Sequence, residues 1–463
     1  MVFSSIVFLL LFLPVVLWLH WLGGVRWRNI LLLVASLVFY AWGEMLYTGV
    51  MLASIALNYG FGLALARWRQ GWVLAGAVAV NLGILLWFKY AGWISGMVGL
   101  PDPQVHMPLG ISFFTFQAIS YVVDVWRGEV KAQGNPVDYA MYKALFPQLI
   151  AGPIVRYKDV AEDVALDRRS WADTAAGAER FVWGLGKKVL LANPLGAVAD
   201  NLFALPADQL STGQAWLAVT AYTLQIYCDF SGYSDMAIGL GRMLGFRFLE
   251  NFATPYAARS VQDFWRRWHI SLSSWFRDYL YIPLGGSRHG EARTYLNLLI
   301  VFGLCGLWHG ASWLFVLWGL WHGLFLIVER AFLGRALAAL WRPVGHVYAL
   351  AVVMVGWVLF RSHDLTQAST LLRAMAGSGG PGHPEALALD TLHIAAFVLA
   401  PLVSLPVAAV VIAWLRPRLD AATRDTLRFS LSGWKLAAAA AILVYALAQV
   451  ARSTYNPFIY FRF

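Results

Sequence analysis

The stretch 306-GLWHGASWLFVLWGLWHG-323 sets two histidines, His309 and His322, among tryptophan, leucine and phenylalanine. The histidines stand 13 residues apart. One continuous helix would separate them by about 20 Å and point them in different directions. They can act on one reacting centre only if the helix breaks between them. Apolar runs over 294–308 and 310–328 flank and contain the stretch. Both histidines therefore belong to membrane-embedded segments, where an ionisable side chain is costly and marks a functional site by default.

The rest of the chain fits that environment. Of its 463 residues 60% are hydrophobic and only 13% charged, with a mean hydropathy of +0.61, which excludes an ordinary soluble globular protein. A hydrocarbon core of about 30 Å takes roughly 20 apolar residues to cross as helix, and about a dozen apolar segments recur along the chain. The alternating pattern of a membrane barrel is absent. The first run, Ile6 to Leu22, lacks the basic leader and small-residue cleavage site of a signal peptide and reads as a retained span. The expectation is an all-α polytopic membrane protein forming a single membrane domain over 1–463.

Charge placement orients and punctuates these runs. Arg26 and Arg28, Arg67 and Arg69, then Arg127 and Lys131 follow the first, third and fifth runs, which places those loops in the cytoplasm and the N-terminus on the outer side. The net charge of +10 and pI of about 9.6 read as loop bias and contact with anionic membrane lipids, with binding of a polyanionic donor as the alternative and no nucleic-acid partner expected. The run 139-YAMYKALFPQLIAGPIVRYKD-159 carries Lys143, Pro147 and Pro153. It reads as a broken, re-entrant segment, which protein or a water-filled cavity must cover. Across 240–293 arginines alternate with acids and aromatics, the mixture of helices lying at the membrane interface. The glycine- and proline-rich loop 362–390 is the best linker. Cys228 and Cys305 sit in apolar surroundings and read as packed thiols.

A third histidine, His269, lies in 260-SVQDFWRRWHISLSSWFRDYLYIPLGG-286. Desolvation keeps a buried imidazole neutral, and a neutral imidazole accepts a proton from a hydroxyl, which is general-base chemistry. The competing reading is a histidine that only hydrogen-bonds a neighbouring helix. Asp229 and Ser231 lie in 226-IYCDFSGYSDMAIGLGRMLGFRFLENF-252. No Ser-His-Asp order or G-x-S-x-G elbow supports a serine nucleophile there, and a polar helix-packing cluster is the alternative. With no H-E-x-x-H and no paired-cysteine pattern, no metal site is expected.

Taken together, 107-MPLGISFFTFQAISYVVDVWRGE-129, 146-FPQLIAGPIVRYKD-159, 227-YCDFSGYSDMAIGLGRMLGFRFLENFATPY-256, the 260–286 stretch and the 306–323 stretch resemble the membrane-bound O-acyltransferases. The likeness runs from 1-MVFSSIVFLLLFLP to 456-NPFIYFRF and is strongest to the bacterial branch that acetylates alginate, cellulose or peptidoglycan. The chain departs from that branch at Cys228, where an aromatic residue is expected, and at its FRF terminus, where FQF is usual.

The resemblance implies a ring of about 11 transmembrane helices with re-entrant and interfacial helices, an acyltransferase core over roughly 107–330, and a cytoplasmic funnel meeting an outer-face pocket. His309 maps onto the essential catalytic histidine. His269, 40 positions earlier, maps onto the second catalytic position, and His322, Asp229 and Ser231 are possible supporting residues. Arg266, Arg267 and Arg277 would attract phosphates of the donor, acetyl-CoA or another acyl thioester, with no bound cofactor. The setting implied is the bacterial inner membrane, with a polysaccharide synthesis complex and a periplasmic, SGNH-hydrolase-like acetyl-transfer protein as partners. Three rivals remain: D-alanyl transfer to teichoic acid, a transporter or flippase, whose common inverted repeats are not evident, and a synthase scaffold.

Overall fold

A computed structural model describes residues 1–206, 208–415 and 421–452, and among them the regular structure is helical throughout, with no strand. The 456-NPFIYFRF motif, and with it the FRF departure, lies outside the described residues. Helices follow from the surroundings, because only they satisfy every backbone hydrogen bond within a segment that lipid surrounds. Six described helices are long and apolar enough to cross a membrane: Val25–Glu44, Thr48–Trp68, Gly71–Met97, Trp313–Ala339, Arg342–Arg361 and Ser432–Arg452. Their outer faces carry Trp42, Leu52, Trp72, Val347 and Leu436, all exposed. Exposed apolar surface on that scale is stable when lipid is the solvent. The chain is an all-α, multi-pass membrane protein.

The chain divides into two compact units. The first comprises Met1–Phe181, Tyr233–Glu250 and Ser274–Pro283, and the second Val182–Gly232, Asn251–Ser273 and Leu284–Phe463.

In the first unit the 139–159 run is broken as its prolines require. Helix Pro136–Ala144 stops at Leu145, a short turn Phe146–Leu149 follows, and extended chain leads to helix Tyr157–Ala165. Protein covers the break: residues 141–155 are buried. Its freed groups find partners, since the Phe146 N–H donates to Ser36 Oγ at 3.0 Å and the Tyr142 hydroxyl to the Val155 carbonyl at 3.0 Å. Lys143, fully buried, donates to the Phe114 carbonyl. Arg28, which the sequence reading counts as a loop charge, is also fully buried. Its guanidinium donates to the carbonyls of Asp163, Val164 and Leu166, closing the C-terminal end of the 157–165 helix, where carbonyls have no helical partner.

In the second unit the decisive stretch is a hairpin. Helix Glu291–His309 ends on the histidine itself, Gly310 to Ser312 turn the chain, and the next helix starts at Trp313 with the Ser312 hydroxyl accepting from the Leu314 N–H. Glycines let the two arms touch backbone to backbone. A Cβ on Gly306 would collide with the Phe315 carbonyl, and one on Gly319 with the Phe302 carbonyl, the small-residue contact on which membrane helix pairs rely. A Gly319→Ala change is therefore expected to destabilise the protein by about 1–3 kcal/mol, read as a lowered unfolding temperature in detergent. Gly303→Ala is the tolerated control, because its methyl meets only Leu320 at 3.6 Å.

The 362–390 loop is not a linker. Residues Leu365–Met375 form a helix capped by Asp364, whose side chain accepts from the Gln367 N–H, and its Ala368, Leu371, Ala374 and Met375 are buried. The Gln367 amide donates to the Phe203 carbonyl and the Trp216 indole to the Met375 carbonyl, each at 3.0 Å. Flanking glycines and prolines mask this amphipathic turn in the sequence.

Candidate active site

His269 owes its position to a break between two short helices. Ser260 caps helix Val261–Arg267 by accepting from the Asp263 N–H, and the helix ends at Trp268 in extended conformation. His269 follows at φ +43°, a left-handed conformation rare outside glycine and one that persists only where surrounding contacts enforce it. Asn251 supplies those contacts. Its carbonyl accepts from the Ile270 N–H at 3.0 Å, and its Oδ1 accepts from the Ser271 N–H at 3.2 Å and the Ser271 hydroxyl at 2.9 Å. The same Oδ1 lies 3.2 Å from His269 Nδ1. Since this oxygen is an acceptor, a neutral His269 carries its proton on Nδ1 and its lone pair on Nε2. Asn251→Ala removes all three Oδ1 contacts and is expected to lower turnover about tenfold or more through misplacement of the ring, with protein yield and monodispersity retained.

His309 closes the first arm of the hairpin and is 6% exposed. Its ring lies 4.9 Å from Trp308, 4.9 Å from Trp318, 5.3 Å from Phe360 and 6.5 Å from His269, between ring centroids. Phe230 stands edge-on to His269 at 4.7 Å. The turn after His309 meets the condition set by the sequence: the second arm folds back and His322 joins the same cluster. Trp318 sits between the two, 5.2 Å from His322. His322 is fully buried against Trp265 and Phe264, and neither of its ring nitrogens has a hydrogen-bond partner among the described residues.

The other expected residues separate into groups. Asp229 and Ser231 are buried in helix Thr212–Met243. Asp229 pairs with Lys188 at 2.8 Å, and from this stretch it is the intervening Phe230 that meets His269. Arg266 and Arg267 line a second-unit cavity, with Arg267 held 2.8 Å from Asp263. Arg277 belongs to the first unit, where it pairs with Asp278 at 2.7 Å and Asp278 also takes Arg156 at 2.8 Å.

Sequence reasoning missed Asn251 and Lys188. Asn251 falls within the quoted 226–252 stretch, and its only signal is an amide side chain amid phenylalanines. Lys188 is the buried member of the adjacent pair Lys187–Lys188 within an apolar run, the kind of residue that demands a buried anion.

Two imidazoles at this separation, screened by aromatic rings, can serve opposite ends of one reacting group. One takes a proton while the other orients the reacting hydroxyl through its own lone pair.

Comparison with known proteins bears on the reaction. The profile of the membrane-bound O-acyltransferase family matches residues 61–360. The probable alginate O-acetylase AlgI of Azotobacter vinelandii is 46% identical over 395 residues, covering 82% of this chain and 79% of its own. The probable alginate O-acetylase AlgI of Pseudomonas aeruginosa is 44% identical over 423 residues, covering 86% and 81%. A peptidoglycan O-acetyltransferase of Helicobacter pylori is 35% identical over 427 residues, covering 82% and 80%.

Proposed function

Because the chain belongs to the membrane-bound O-acyltransferase family, and is an O-acyltransferase, we propose that it transfers acetyl from a cytoplasmic thioester across the bacterial inner membrane for O-acetylation of an exported polysaccharide such as alginate or cellulose. The donor is acetyl-CoA or another acyl thioester. The acceptor is the sugar hydroxyl or a serine of a periplasmic SGNH-hydrolase-like partner working with the polysaccharide synthesis complex.

His309 acts as general base. Its unprotonated ring nitrogen takes the proton of the acceptor hydroxyl as that oxygen bonds to the thioester carbonyl carbon. The carbon–sulfur bond then breaks, and the proton passes to the departing thiolate. His269, its Nδ1–H engaged by Asn251, orients the reacting groups through its Nε2 lone pair, which accepts from the acceptor hydroxyl. Trp308, Trp318 and Phe360 exclude water, so the ester rather than free acetate forms. His322 completes the aromatic packing that fixes Trp318.

One observation supports this reading above the rest: His269 and His309, from separate chain segments, lie 6.5 Å apart in a buried aromatic cluster. The experiment supplies radiolabelled acetyl-CoA to purified protein in proteoliposomes with an acceptor hydroxyl. Label recovered as an acceptor ester is expected. Label accepted only from a D-alanyl carrier protein would move the assignment to teichoic-acid chemistry, and polymer translocation without acyl transfer would move it to a transporter.

A further inference from the structure

The second unit holds a cavity of about 600 Å³ lined by Arg259, Arg266, Arg267, Arg330 and Arg342, with Asp263 and Glu329 as its acids. Five arginines against two carboxylates leave a positive excess, and the acids are already engaged. Asp263 holds Arg267 at 2.8 Å. Glu329 is buried, and its carboxylate accepts from the Val261 and Gln262 backbone N–H groups at 2.5 and 3.0 Å. Among the described residues the guanidiniums of Arg259, Arg266, Arg330 and Arg342 have no carboxylate partner. The cavity thus offers several unspent cations converging on one space, which suits a phosphate with its acceptor oxygens.

Its location says where that phosphate comes from. Two membrane-spanning candidates, Trp313–Ala339 and Arg342–Arg361, end at this cavity, one supplying Arg330 and the other Arg342. A cavity between span ends lies at headgroup depth. Beside it in the chain stand Phe332, Leu340, Trp341 and Val344, 63%, 50%, 76% and 42% exposed, an apolar rim of the kind that anchors at the membrane interface.

We propose that this cavity binds the phosphate headgroup of an anionic phospholipid, whose acyl chains leave along the Leu340–Val344 rim. The assignment takes Arg266 and Arg267 from the thioester donor, to which the sequence reading gave them. It does not depend on the acyl-transfer reaction.

The test uses full-length protein reconstituted in vesicles of phosphatidylcholine doped with phosphatidylglycerol, re-extracted in mild detergent, with retained lipid measured by mass spectrometry. Wild type is expected to retain phosphatidylglycerol in preference to phosphatidylcholine. R330Q/R342Q is expected to lose that retention by about tenfold or more, and R330K/R342K to keep most of it. Arg335, exposed on the same helix but outside the cavity wall, supplies the control R335Q, which should behave as wild type. Unchanged retention in R330Q/R342Q, an equal loss in R335Q, or displacement of the bound lipid by free coenzyme A would each overturn the proposal. Displacement by coenzyme A would return the cavity to a soluble phosphate ligand.

Discussion

A His309→Ala variant is expected to lose acetyl transfer by about 10²- to 10⁴-fold, the range over which a positioned general base acts. The ring packs between Trp308, Trp318 and Phe360 at 4.9 to 5.3 Å, so truncation also opens space in the cluster and costs stability. His309→Gln separates the two effects. It fills much of the volume and keeps hydrogen-bonding capacity but has no basic nitrogen, so it should fall as far in rate while unfolding near the wild-type temperature. If His309→Gln kept wild-type turnover, the imidazole would be packing and not chemistry.

His269 is the second large effect, expected at about 10²-fold, the loss typical of misplacing one reacting group at the centre. The informative substitution is His269→Asn. Position 269 is at φ +43°, a conformation asparagine tolerates better than most residues, so the backbone break survives while the imidazole is gone. A β-branched replacement such as His269→Val would confound the result by straining the turn. Combining His269→Asn with His309→Gln should cost little more than His309→Gln alone, because groups that act on one transition state are strongly non-additive. Full additivity in a purified assay would mean that the two histidines serve separate steps.

Much of this architecture is legible in the sequence because its causes are local. Runs of apolar residues mark the spans, and Pro147 and Pro153 mark the broken segment. The covering of that segment follows from the cost of free backbone groups in an apolar environment. The W-H-G pair is visible too, together with the condition that its helix must break. What the sequence hides depends on partners far along the chain. Nothing local tells that Asn251 reaches His269 or that Lys188 pairs with Asp229. Arg28 looks like an ordinary loop cation, although it closes a helix end more than a hundred residues later. The 365–375 helix is obscured for a different reason: the glycine and proline content of its neighbours outweighs a pattern only three turns long. The candidate site shows the same division. Its histidines are read from their surroundings, and the asparagine that holds one of them is visible only when the chain is folded.

As the proposed general base, His309 takes a proton and is never itself acylated. That role is tested most directly by mixing purified protein with radiolabelled acetyl thioester, without any acceptor, and quenching at intervals. The label is expected to stay on the thioester and the protein to remain unlabelled. When acceptor is then added, the label should appear on its hydroxyl in one phase. Acetyl recovered on the ring of His309, formed and consumed at the rate of turnover, would contradict that role.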